Sequence, residues 1–498
     1  MKKLWLCFAL ISLLISSCSE EEKKSSALKY VNSFVSESDE TIIFGSISLD
    51  NIINKSDLTN LPNFGPIVGE QVKYINAGVG IKKRIYFALD GPLDREGMPS
   101  HSVLFMEVNN KDSLENIFSE MGYFFEDQDG LRIADDMNMS IGFNDEIAIF
   151  INTNFEEDPV EYLKTVYEMS QKGSSNEKIA NILQSSSDIV FSSHMENLYG
   201  TSNTDLNKLP IKQQEEIKKL AAGSFVSTTI DFNDGELLIQ SNSDFNEDLQ
   251  ELMFFKEDVT FDAKEKLGPG KAIMAFSMEI DIPKLERMIE NFYPEATQEL
   301  YKSMGTSGTI MKGLGGDGLS AIVDGKFGFA ITGMPESMDM GAIPEMAFFA
   351  GLGKSSSDIV DLLVDLAASG DIQKVGKGMY RMGDASAKVT KDEVMIHSNA
   401  NKLNEMEDGK TTLELPALAS GFGNKPLAIY LDLKMISESG IDIGSEEARS
   451  VLELADYIYI EGDNKTSKMV IKLKDDSKNV LKAVIDAMRS ELEKMMNV

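Results

Sequence analysis

Asp145-Glu146-Ile147-Ala148-Ile149-Phe150-Ile151-Asn152-Thr153-Asn154 meets its own echo at Asp392-Glu393-Val394-Met395-Ile396-His397-Ser398-Asn399-Ala400-Asn401. The opening acid pair, Ile149/Ile396 and both Asn positions coincide, and five further pairs of blocks follow in the same order. Residues 39–50 match 270–281, with Ser46 on Ser277 and Asp50 on Asp281. Phe87-Ala88-Leu89 before Gly91 matches Phe329-Ala330-Ile331 before Gly333, and 103–113 matches 346–356. The stretches 187–198 and 220–240 match 425–436 and 454–474. Self-similarity in the same order, at offsets of 231–247 residues, is the mark of a repeated unit. It predicts two tandem modules, 28–257 and 258–498, the second an internal duplication of the first. At 498 residues the chain is also too long for one core, since single cores stop growing near about 300 residues.

The blocks carry the local structure too. Ile42 to Leu49 alternates and reads as a strand, and Val103–Val108 and Met346–Ala350 read as buried strands. Leu114, Ile117, Phe118 and Met121 lie on one stripe of a helix, capped by Asp112 or Ser113. Ile359, Leu362, Leu363 and Leu366 repeat that spacing. Asp129-Gly130, Asp234-Gly235 and Gly462-Asp463-Asn464 mark hairpin turns. Connections this short exclude most helical crossovers. The fold class expected is therefore α+β, each module a mostly antiparallel sheet with helices packed on one face.

Composition excludes several functions. With 48 Lys+Arg against 81 Asp+Glu the net charge is −33, so nucleic acid and anionic headgroups are repelled. Two Cys and three His exclude a disulfide framework and most zinc sites. His101, His194 and His397 have no partner His at ligand spacing; His397, matching Phe150, and His194, matching Asp432, read as strand-surface positions. Gly313-Leu314-Gly315-Gly316-Asp317-Gly318 precedes the expected strand Leu319–Val323 instead of following one, the reverse of a dinucleotide turn. Gly351-Leu352-Gly353-Lys354-Ser355 lacks the first glycine of a phosphate loop, because Phe348 stands there. No cofactor, metal ligand or catalytic residue is assigned. The Gly- and Met-rich stretch 305–353, with a loop over 336–340, reads mainly as core filler.

The beginning of the chain gives an address. Lys2 and Lys3, the apolar run Leu4–Ile15 and small residues at 16–17 form a secretory signal over 1–17. Leu14-Ile15-Ser16-Ser17-Cys18 resembles the bacterial lipobox, and that resemblance implies cleavage before Cys18 and its acylation. Glu20, Glu21 and Glu22 make 18–27 an acidic tether, similar to the surface-export signal of Bacteroidota lipoproteins. After cleavage no Trp and no free thiol remain, since Trp5 and Cys7 leave and Cys18 is acylated. That excludes thiol catalysis.

The layout resembles a family of large uncharacterised Bacteroidota lipoproteins with a domain of unknown function. The lipobox, the block Thr41–Ile53 and the block 454–488 carry the likeness, which implies location and architecture but no activity. The function expected is a non-enzymatic, outer-membrane, surface-exposed lipoprotein that acts as a binding or scaffolding module. It is held to the membrane by lipid on Cys18, and its expected partner is another envelope protein or a cationic ligand. The alternative is a hydrolase using Asp/Glu or a weakly bound metal in the cleft between modules.

Overall fold

The computed structural model describes residues 26–62, 65–93, 98–154, 157–200, 211–292, 318–334, 344–353, 372–409, 411–438 and 453–496. Cys18, the segments 1–17 and 18–25, the 336–340 loop and the Ile359–Leu366 stripe lie outside them, as does all of the 313–318 glycine motif but Gly318. The chain divides into two compact units: Met1–Asn246 together with Asp475–Val498, and Glu247–Lys474.

Among the described residues the first unit holds ten strands of one sheet. Its strands are β1 (Ile43–Ile47), β2 (Ile85–Leu93), β3 (Pro99–Glu107), β4 (Glu126–Gln128), β5 (Leu131–Asp136), β6 (Met139–Phe143), β7 (Ile147–Thr153), β8 (Ile189–His194), β9 (Phe225–Asn233) and β10 (Glu236–Asp244). They lie in the order β4-β5-β6-β7-β3-β2-β1-β8-β9-β10, every neighbour antiparallel. Asp129 (φ 53) and Gly130 (φ 84) both take the left-handed turn that joins β4 to β5. Gly45, central in β1, is held to glycine by space, since a Cβ there would stand 2.3 Å from the Val190 carbonyl oxygen.

Alternation along β7 divides the core. Ile147, Ile149 and Ile151 join Val103 and Phe105 against α1 (Ser26–Glu37) and two helices further along the chain, Pro159–Gln171 and Glu177–Leu183. Ala148 points the other way with Ile141 and Phe143, toward α2 (Leu49–Ser56), α3 (Gly65–Gly78) and α4 (Lys111–Glu120). Each fully buried aliphatic or Phe side chain contributes about 1.5–3 kcal/mol. The α+β reading therefore holds, but helices cover both faces of this sheet. The one-face expectation fails because alternate residues of the central strands are apolar on both sides.

The second unit holds β11 (Met274–Glu279), β12 (Val323–Gly333), β13 (Glu345–Leu352), β14 (Ile372–Gly376), β15 (Met379–Met382), β16 (Ala385–Val389), β17 (Glu393–His397), β18 (Leu427–Asp432), β19 (Ala455–Gly462) and β20 (Thr466–Leu473). Their order is β14-β15-β16-β17-β13-β12-β11-β18-β19-β20, again antiparallel throughout. That is the first unit's order strand for strand. A two-residue parallel ladder, Gly270–Lys271 with Leu413–Glu414, stands apart from it. Small residues Ala275, Ala330, Ala347 and Ala428 floor the core, with Phe349, Tyr430 and Tyr459 filling above them.

Local expectations differ in four places. β1 ends at Ile47 because Ser48 caps α2, so Leu49 is helical. The helix α4 is capped by Asn110, whose Oδ1 accepts from Ser113 N at 2.8 Å, not by Asp112 or Ser113. Met121 falls past its end and is exposed. Residues 318–321 form a 3₁₀ turn, and the strand begins at Val323.

The unit boundary also differs from 257/258. After β20 the chain returns to the first unit, where Gly235 N donates to the Lys478 carbonyl (2.8 Å) and Asn479 Nδ2 to the Phe232 carbonyl (2.8 Å). Asn479 Oδ1 accepts from Leu481 N at the start of the closing helix Val480–Met496, and Lys482 pairs with Asp57. A chain stopped after Lys474 is therefore expected to lose about 3 kcal/mol from the first unit alone. Amide exchange should quicken in β8–β10 and α2 and stay unchanged in β11–β17; equal quickening in both units would contradict this partition.

Candidate functional site

A cluster of ionisable groups gathers at the end of β2 in the first unit. Asp90 pairs in register with His101 of β3, just before the irregularity at Gly91. Gly91 takes φ +81, and a Cβ there would come within 2.5 Å of His101 Nδ1. Asp90 is 3% exposed and accepts three hydroxyl protons: Ser38 and Thr41 donate to Oδ1 at 2.7 Å each, and Tyr162 to Oδ2 at 2.6 Å. Tyr162 stands on the helix α5 (Pro159–Gln171), which Asp158 caps by accepting from Val160 N. Its ring stacks on His101, centroids 3.9 Å apart at 20°, and His101 Nε2 meets the Glu157 carboxylate.

Burial, then the charge of Asp90 and its hydrogen bond, push the Tyr162 hydroxyl far above its ordinary pKa. Tyr162 is thus a fixed donor, not a phenolate nucleophile. Three hydroxyls satisfy Asp90, so the cluster ties α5 and the 38–41 segment to β2. None of its members but His101 was singled out from sequence. Ser, Thr, Tyr and Asp scattered over 38–162 leave no spacing signal.

The equivalent place in the second unit has other chemistry. Thr332, matching Asp90, donates from Oγ1 to Glu345 Oε1 at 2.7 Å, and Lys402 pairs with Glu345. His397 lies beneath, fully buried, its Nδ1 accepting from Asn399 N at 2.8 Å. Burial pushes His397 down to about 4, with Glu345 opposing and Lys402 adding. His194, edge-on to Phe44 and Phe225, is pushed down to about 4 by burial, against the charge of Asp90. The strand-surface expectation is corrected for His397, which is buried, while His194 is half-buried beside Phe44 and Phe225; His101 is buried as well. Their sheet faces are covered by helices or by aromatic rings.

An open cavity of about 680 Å³ lies elsewhere in the first unit, lined by Asn54, Lys55, Asp57, Asp234, Asp475, Ser477, Lys478, Asn479 and Lys482. Lys55 Nζ donates to both oxygens of buried Asp188, at 2.9 and 2.7 Å, and Phe232 N also donates to Asp188, at 2.7 Å. The Lys482 ammonium, then the Asn60 amide, hold the Asp57 carboxyl below its usual range. Asp475 accepts from the Ser477 hydroxyl at 2.7 Å. The wall alternates donors and acceptors, which suits a polar ligand over an apolar one. Among the described residues no group of three or more His, Cys, Asp or Glu is arranged to hold a metal, and no helix is long and apolar enough to cross a membrane.

No family model and no curated protein matches the chain. Two solved structures, crystal forms III and I of TP0453, match at 9% and 11% identity. Each covers 46% of this chain, and 85% and 84% of its own, with a TM-score of 0.27 in both. At that score the likeness carries no argument about fold or function.

Proposed function

We propose that the protein is a non-enzymatic outer-membrane lipoprotein, outward-facing, that serves as a binding or scaffolding module and belongs with the Bacteroidota lipoproteins it resembles. The observation that carries this reading is the sequence from Leu14 to Glu22: a lipobox ending at Cys18, then an acidic run. Acylation at Cys18 with more than one chain would give stable anchoring. The common strand order of the two units, joined to the six matched sequence blocks, supports their origin as tandem copies of one ancestral unit. The open cavity offers a place for a ligand, its Lys55 and Lys482 already held in ion pairs with Asp188 and Asp57.

Cys18→Ala is expected to move the protein from the membrane fraction to the soluble fraction and to abolish incorporation of labelled palmitate. Unchanged membrane association without label would exclude the lipid anchor.

A further inference from the structure

Equivalent hairpins of the two units carry opposite charge. β4 and β5 open the strand order of the first unit, and β14 and β15 hold the same places in the second. None of the six matched blocks falls on either hairpin. Residues 126–136 carry five carboxylates against one arginine, Arg132. Residues 372–382 carry Lys374, Lys377 and Arg381 and no acid, in a chain with 81 Asp+Glu against 48 Lys+Arg. Both hairpins present these charges to water: Glu126, Asp127 and Asp129 are exposed on one, Lys374, Lys377 and Arg381 on the other.

Among the described residues β4 and β14 are the outermost strands of their units, so one side of each has no neighbouring strand. Lys374 Nζ lies 5.6 Å from the ring centroid of Tyr380, its partner in register, and Val375 sits exposed at the irregularity between Lys374 and Gly376. On the acidic side Asp127 shares Arg132 with Glu115, Asp129 meets Lys164 at 3.5 Å, and Glu126 accepts from the Gln128 amide at 3.5 Å. Charge of either sign guards an edge against pairing with a like edge. Opposite signs on the two edges do more: each repels its own kind and admits the other, which selects a partner and an orientation. At an ionic strength of about 0.15 M charges act over about 8 Å, so the local signs outweigh the remote surplus of acids.

We propose that the basic hairpin β14–β15 of one copy docks edge to edge on the acidic hairpin β4–β5 of a second copy, with Lys374, Lys377 and Arg381 set against Glu126, Asp127 and Asp129. Facing residues of opposite charge stabilise such a strand pair. The contact joins two different patches, so a docked pair still offers one hairpin of each kind, and copies add head to tail into a chain or ring. Such assembly names a partner for the binding module and does not need the lipid on Cys18, so the two readings fail separately.

Light scattering of the full chain in a nonionic detergent at about 150 mM salt is expected to show dimers and larger species that grow with protein concentration and disperse at about 1 M, where screening shortens to about 3 Å. Lys374→Glu with Lys377→Glu makes both edges acidic, and Glu126→Lys with Asp127→Lys makes both basic. Each double variant alone is expected to lose about nine-tenths or more of its assembled mass, because like charges then face each other. An equal mixture of the two is expected to restore assembly, since each supplies the sign the other lacks, and a misfolded variant would not. A wild-type chain that stays monomeric at every concentration overturns the proposal, including the case in which the two hairpins of one chain pair with each other. Assembly that persists at 1 M salt or in either variant also overturns it, because another surface then joins the copies. Folded variants that stay monomeric when mixed overturn it as well, and the wild-type series decides alone if a variant fails to fold.

Discussion

Asp90→Ala is expected to lower the stability of the first unit by about 4 kcal/mol. Hydrogen bonds to a charged acceptor are worth about 1.5–3 kcal/mol each, and donors left buried without a partner add their own cost. Here three hydroxyls, from Ser38, Thr41 and Tyr162, lose one acceptor that is 3% exposed. Thr41 is further tied by its carbonyl to Asn197 Nδ2 at 2.8 Å, so the loss spreads toward the helix that follows β8. Tyr162→Phe removes one donor and leaves the carboxylate two others, so about 1–2 kcal/mol is expected. Urea unfolding followed by amide exchange in β1–β3 measures both. A loss under about 1 kcal/mol for Asp90→Ala would mean that water replaces the side chain freely and that the cluster is not a structural tie.

Acid is expected to weaken both units between about pH 6.5 and pH 4. His194 and His397 are each pushed down to about 4 in the folded chain, chiefly by burial. In the unfolded chain an ordinary histidine titrates near 6.5. The unfolded state therefore takes up protons first, and the stability each neutral histidine contributes is full above pH 6.5. It is lost as pH falls toward 4, up to about 3 kcal/mol per histidine. His397→Phe puts in the residue that stands at the matching position of the first unit, Phe150. It is expected to flatten the pH dependence of the second unit and leave that of the first. Denaturation midpoints at pH 7, 5.5 and 4.5 check this. An unchanged slope in the variant would show that carboxylates, not His397, govern the acid loss.

Much of the fold was legible because strands alternate. The six matched blocks fall on β1 and β11, β2 and β12, β3 and β13, β7 and β17, β8 and β18, and the closing hairpins β9–β10 and β19–β20. The turns at Asp129-Gly130 and Asp234-Gly235 read correctly because their backbone needs a positive φ, which Gly130 and Gly235 supply. What stayed hidden depends on distance along the chain. The return of 475–498 to the first unit is written in Asn479, Lys478 and Lys482, whose partners Phe232, Gly235 and Asp57 lie hundreds of residues away. Two-sided burial of the first sheet was obscured because Ala148 and Phe150 look like the outer half of an alternating strand until helices cover them. The Asp90 cluster is likewise three-dimensional: its members come from a post-helical segment, two strands and a later helix.

Intact-mass analysis of the native protein, drawn from its own membranes in mild detergent with whatever remains bound, tests the account most directly. It predicts an amino terminus at Cys18 carrying acyl chains, residues 1–17 absent, and a bound partner or ligand in fixed proportion. A chain still beginning at Met1, or a Cys18 bearing a free thiol, would contradict it.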